Sequence, residues 1–165
     1  MKIKKILFCA AMVSGSVFAK GNYGIHAGVG LPQDAPGQKM GADVGVAAES
    51  IFGALGIGVF GTYQMVGLDT GASTGNSLNY LLYGALVNIH LGALYVGGNV
   101  GQVQMNLKSG GASVTASSNS YGGQVGMDFP FSGRMSLGLE GRYIKVTSDP
   151  SIAIVNGNAQ LKFWF

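Results

Sequence analysis

From Lys20 onward the chain alternates apolar residues with small or polar ones, in segments of about ten residues. Tyr23, Ile25, Ala27, Val29 and Leu31 alternate with Gly24, His26, Gly28 and Gly30. A second segment sets Met40, Ala42, Val44, Val46 and Ala48 against Gly41, Asp43, Gly45, Ala47 and Glu49. In the third, Leu55, Ile57, Val59, Tyr63 and Met65 oppose Gly56, Gly58, Phe60, Thr62 and Gln64. The fourth places Leu81, Tyr83, Ala85, Val87 and Ile89 against Leu82, Gly84, Leu86, Asn88 and His90, a less polar second face. The sixth, seventh and eighth repeat the pattern over Tyr121–Phe129, Met135–Tyr143 and Val155–Phe165. Only the fifth, Leu94 to Leu107, breaks it: Val96 and Val100 share one phase, and Val103, Met105 and Leu107 take the other. A bulge near Gly101 would restore the register, because one extra residue flips every later side chain.

A period of two argues for strands, and the connections alternate as well. Short turns fall at Gly53, Leu91-Gly92 and Pro130–Gly133, and longer polar loops at Pro32–Lys39, Gly67–Ser77, Lys108–Ser120 and Ser148–Ser151. Charged residues are only 10% of the chain, against about 25% in soluble domains. Hydrophobic residues reach 47% alongside 29 glycines, and no uninterrupted apolar run is long enough for a spanning helix. This combination predicts an all-β, eight-stranded antiparallel up-and-down transmembrane β-barrel over 20–165, with both ends on the side of the short turns. Tyr63, Tyr121 and Tyr143 fall towards the loops, and Tyr23, Phe129, Phe163 and Phe165 towards the turns, as interfacial aromatic belts would.

The leading residues MKIKKILFCAAMVSGSVFA change the reading of charge. Three lysines, a short apolar run and a Val17-x-Ala19 ending have the form of a secretory signal peptide over 1–19. Its removal leaves seven basic and seven acidic residues, so the sequence pI gives no support for a nucleic-acid partner. Cys9, the only cysteine, leaves with it, so neither a disulfide framework nor a thiolate metal site is expected.

The signal peptide, the eight segments and the terminal LKFWF together resemble the small eight-stranded outer-membrane barrels of Gram-negative bacteria, the OmpX and OmpA-transmembrane-domain type. The resemblance implies residence in the cell outer membrane among its lipids and lipopolysaccharide. It further implies that Leu161, Phe163 and Phe165 form the C-terminal signal read by the barrel-assembly machinery.

The interior of an eight-stranded barrel is just wide enough for side chains to fill it. The inward phase collects Asp43, Glu49, Gln64, Asn99, Gln124, Asp128, Glu140, Arg142 and Lys162. Such a network either lines a narrow polar path for small solutes or ions, or plugs the lumen, with Arg142 and Lys162 paired to carboxylates. Catalysis finds little support. His26 and His90, the only histidines, fall on the inward phase and lack a neighbouring hydroxyl or a set of metal ligands, which argues against a lipid A-modifying enzyme and a zinc site. Gly56–Gly61 matches G-x-G-x-x-G but lies within an alternating strand, with no helix to follow. Asp69-Thr70-Gly71 spells an aspartic-protease signature, but it occurs once and in turn-forming company. The expectation is a barrel with a structural or surface-interaction role and no cofactor. A narrow pore is the alternative, and a lipid A-modifying enzyme the more distant one.

Overall fold

The computed structural model describes residues 20–33, 39–66, 77–109, 112–148 and 151–165. The signal segment 1–19 and the Asp69-Thr70-Gly71 loop lie outside the described residues. Eight strands run β1 (Lys20–Gln33), β2 (Gly41–Phe52), β3 (Leu55–Val66), β4 (Ser77–Leu91), β5 (Leu94–Ser109), β6 (Ala112–Ser132), β7 (Met135–Val146) and β8 (Ile152–Trp164). Each pairs antiparallel with its sequence neighbours, and β8 closes on β1, with Tyr23 opposite Phe163 and Ala27 opposite Ala159. Closure removes the sheet edges along the body of the barrel, the condition a β-structure must meet to sit in hydrocarbon.

At one end, the turn end, the strands are joined by tight connections. Gly53 and Gly92 take φ of +65° and +72° at the first central position of two-residue turns, a conformation that disfavours a Cβ. The longer connections gather at the opposite, loop end.

Burial alternates along the strands with the predicted phase. Ile25, Val44, Val46, Ile57, Val87, Val125 and Leu139 form part of an exposed apolar outer surface. This surface encircles the barrel and far exceeds the patches that soluble monomers show.

Two sequence expectations need correction. The register of β5 runs unbroken through Gly101, which pairs with Gly84 on one side and Ser120 on the other. There is no bulge at that point, and Val103 therefore points inward, fully buried. The irregularity lies instead between Pro130 and Ser132 in β6. The span Lys108–Ser120 is also not a loop: β5 continues to Ser109, β6 starts at Ala112, and the two stay paired throughout. From Ala112 to Ser117 its residues are exposed on both faces, so no apolar alternation marks it as strand.

Candidate functional site

The inward side chains form two layers. In the turn-end and central part of the lumen, most polar groups satisfy one another, although Asn99 Oδ1, Arg142 Nε and Asn156 Oδ1 find no partner among the described residues. Glu49 on β2 accepts hydrogen bonds from Asn22 (3.2 Å) and Asn88 (2.9 Å), and lies 3.1 Å from His90 Nε2. Gln124 bridges Asn88 and Asn99 at 2.8 and 2.9 Å. Asp128 holds Lys162 through both carboxylate oxygens, at 2.9 and 3.0 Å. The Lys162 ammonium also sits 4.1 Å from the centre of the Tyr95 ring. The Tyr95 hydroxyl donates to Glu140 (2.9 Å), whose other oxygen takes the Arg142 guanidinium at 2.7 Å. Arg142 in turn stacks 4.6 Å over the ring of Phe60. Asp43 accepts from Asn156 at 2.7 Å and, with the Asn158 amide turned to satisfy both groups, from Asn158 at 2.8 Å. Both buried cations are thus paired, the arrangement that burial of charge demands.

Several inward glycines make this packing possible. A Cβ at Gly126 would overlap the Tyr95 ring, and one at Gly56 would overlap the Glu49 carboxylate. Large inward side chains can fold across a narrow bore only where the facing residue has none.

Towards the loop end the filling becomes apolar. Phe60, Val66, Leu78, Tyr80, Leu82, Leu86, Val103, Ile144, Val146 and Ile154 form one buried cluster, with Met105 and Ile152 packed against it. Sequence reasoning missed this layer. Its members occupy the inward phase of several neighbouring strands, but an inward valine reads in one dimension like an outward one. Gln64 marks the border between the layers. It is fully buried, and neither amide atom finds a hydrogen-bond partner among the described residues.

A water-filled bore would leave its lining accessible. Instead Arg142 is 3% exposed, Asp43 1%, and Gln64, Val103 and Ile154 0%. All nine polar residues assigned to the interior network (Asp43, Glu49, Gln64, Asn99, Gln124, Asp128, Glu140, Arg142 and Lys162) are buried, and all but Gln64 take part in side-chain hydrogen bonds. Both histidines are held inside as well, His26 by Thr62 at 3.1 Å and His90 by Glu49. Among the described residues no group of three or more His, Cys, Asp and Glu could hold a metal ion.

On the outside, Tyr23, Tyr63, Tyr121, Phe129, Tyr143 and Phe163 are exposed on the outward face. Phe165 stacks on Tyr23 with ring centres 4.9 Å apart, and its backbone exchanges two hydrogen bonds with Gly21 (3.0 and 3.1 Å). At the loop end β6 runs past β7: it pairs with β7 only from Ser120 onward, whereas β5, itself accompanied by β4 as far as Lys108, holds it down to Ala112. The edge of Ala112–Ser118 that faces away from β5 therefore has no partner strand among the described residues.

No protein-family model and no curated protein matches the chain. Solved structures do. Neisserial surface protein A superposes with a TM-score of 0.69 at 15% identity, covering 88% of this chain and 97% of that one. Ail, the attachment invasion locus protein of Yersinia pestis, gives 0.60 at 14% identity, over 89% and 99%. The N-terminal β-barrel domain of Pseudomonas aeruginosa OprF gives 0.54 at 7% identity, over 88% and 99%. Identities this low establish shared architecture and nothing finer. By fold, the chain is a small eight-stranded β-barrel of the kind found in these outer-membrane proteins.

Proposed function

We propose that this protein is an integral outer-membrane barrel, exported through residues 1–19, that works as a structural and surface-interaction protein and neither conducts nor catalyses. Its turn end faces the periplasm and its loop end the exterior, where lipopolysaccharide and surface ligands are met. Leu161, Phe163 and Phe165 serve as the segment recognised by the barrel-assembly machinery, and the outward aromatics anchor the barrel at the two interfaces. A filled interior supports the absence of conduction, and the internal anchoring of both histidines supports the absence of catalysis.

The observation that carries the surface role is the edge of β6 that runs past the end of its pairing with β7 in the β5–β6 hairpin. An unpaired run of backbone N–H and C=O groups is a template for an added strand, and it is normally blunted by charge or proline. The Ala112–Ser118 edge, ASVTASS, has neither. Ail has been crystallised in complex with a heparin analogue, sucrose octasulfate. For the present chain an extended polypeptide suits the uncharged edge better than a sulfated saccharide does.

The test is attachment of expressing cells to an epithelial monolayer, with the wild-type barrel or one whose hairpin tip, residues 107–114, is replaced by a two-residue turn. Heat-modifiable gel mobility checks that both barrels are folded. Attachment should fall to the level of non-expressing cells in the shortened variant. Equal attachment by the two would refute the role given to the hairpin.

A further inference from the structure

The lumen-facing phase of β4, β5 and β6 carries on beyond the point where β7 stops. Leu78, Leu107 and Val114 lie opposite one another in one row across these strands, and Tyr80, Met105 and Ala116 in the next. Exposure climbs along each row towards β6. It is 8% at Leu78, 40% at Leu107 and 62% at Val114. In the other row Tyr80 is buried, Met105 half-buried and Ala116 exposed. Nearer the turn end β7 does supply the next strand, and there Ser120 and Val146 face each other, both buried. The gradient is that of a sheet face ending one strand short, with apolar side chains open beside an open backbone edge.

The opposite face of the same strands is hydrophilic. Gln104, Asn106 and Lys108 of β5 stand opposite Ser117, Thr115 and Ser113 of β6, and the Thr115 hydroxyl donates to Asn106 Oδ1 at 2.8 Å. A strand laid against Ala112–Ser118 therefore meets different chemistry at successive residues. Every second side chain lies beside Val114 and Ala116, with Leu107 and Met105 behind them. The side chains between lie beside Ser113, Thr115 and Ser117. The pleat of the sheet fixes this alternation.

We propose that the free edge of β6 selects extended polypeptide segments in which β-branched apolar residues alternate with threonine, serine or other uncharged polar ones. The inference rests on the surface role given to the hairpin above and adds the class of sequence that the edge accepts. Backbone hydrogen bonds attach such a segment whatever its sequence, and the cross-strand side-chain pairs make the choice. Alternate apolar residues complete the rows of Val114 and Ala116, while threonine or serine pairs with the hydroxyls of Ser113, Thr115 and Ser117. A segment with its apolar residues in succession has to place some of them on the hydrophilic face.

The test places the full-length mature barrel in phospholipid nanodiscs and titrates it against two fluorescent peptides of one length and nearly one composition, TVTVTVT and TTTTVVV. Fluorescence anisotropy reads binding, with the signal from empty nanodiscs subtracted. Matched apolar pairs should favour the alternating peptide by about tenfold. Val114→Ser should weaken TVTVTVT by about threefold and leave TTTTVVV nearly unchanged. TVTVTVT with an N-methylated backbone should not bind, because its ladder with β6 is blocked. Val114 is exposed, so its variant should fold, and heat-modifiable mobility checks this. Equal affinities for the two peptides, or a preference that Val114→Ser leaves intact, would overturn the inference even where attachment still depends on the hairpin, so the two readings fail separately. So would a wild-type barrel that sediments as a dimer in detergent, beside a shortened-hairpin variant that sediments as a monomer, which would give the edge to a second copy of the chain.

Discussion

Arg142 offers the sharpest perturbation of the interior. It is 3% exposed, its guanidinium meets Glu140 at 2.7 Å, and it covers the face of Phe60 at 4.6 Å. Arg142→Met keeps much of the volume and the contact with Phe60 but removes the charge. Glu140 then loses its cation at 7% exposure, with the Tyr95 hydroxyl as its one remaining hydrogen-bond donor among the described residues. Removing one partner of a buried pair costs about 3–5 kcal/mol, mostly the uncompensated charge left behind. The cation–π contact, worth up to about 2 kcal/mol when desolvated, falls within that range because the two effects share one group. Glu140→Gln in the same background relieves the orphaned carboxylate while keeping an acceptor for Tyr95. The double variant should therefore be more stable than Arg142→Met alone, by about 2 kcal/mol or more. Urea unfolding in phospholipid vesicles, under conditions where refolding is reversible, measures all four corners of the cycle. An Arg142→Met loss below about 1 kcal/mol, or a double variant no better than the single, would show that the pair is not desolvated as described.

Other substitutions test the two-layer interior and its packing. Gln64→Met removes an amide that is buried without a partner among the described residues, beside the apolar cluster, and should stabilise the barrel by about 1–2 kcal/mol in the same unfolding assay. A loss of stability would mean that the Gln64 amide is satisfied in the folded protein. Gly126→Val drives a branched side chain into the Tyr95 ring and should cost about 1–3 kcal/mol. Gly157→Val, where an added Cβ meets nothing, should be neutral or mildly stabilising. Equal costs for the two glycines would contradict the assigned inward and outward faces. Lys162→Met strands Asp128 as Arg142→Met strands Glu140, so it should also cost about 3–5 kcal/mol, with Asp128→Asn restoring part of the loss.

Strand phase was legible wherever glycine or a polar residue alternated with a large apolar one, as in Tyr23–Leu31 or Met135–Tyr143. Hydrocarbon outside and a crowded lumen inside then demand opposite chemistry on successive residues. The phase became illegible where both faces are apolar. Val103 and Met105 look outward-facing by hydrophobicity, yet they belong to a lumen filled with valine, leucine and isoleucine at that level. A bulge was the inexpensive way to reconcile them with the rest of β5, and the unbroken pairing through Gly101 shows that none was needed. The opposite failure occurred at Ala112–Ser117, where both faces are exposed and neither requires apolar residues. The strand there is imposed by its ladder with β5. The interior acids and cations could be read as a set from phase alone. Their partners could not, because pairs such as Asp43–Asn156 and Glu49–His90 join strands far apart in sequence and depend on barrel register.

The central claim is that the lumen is closed from within, by a paired polar layer beneath an apolar one. Single-channel recording of the refolded mature barrel in planar lipid bilayers tests it most directly. A closed lumen predicts a quiet baseline across the usual range of applied voltage, with no steps above that of protein-free bilayers. Steady, discrete openings of uniform size from the wild-type barrel would contradict it.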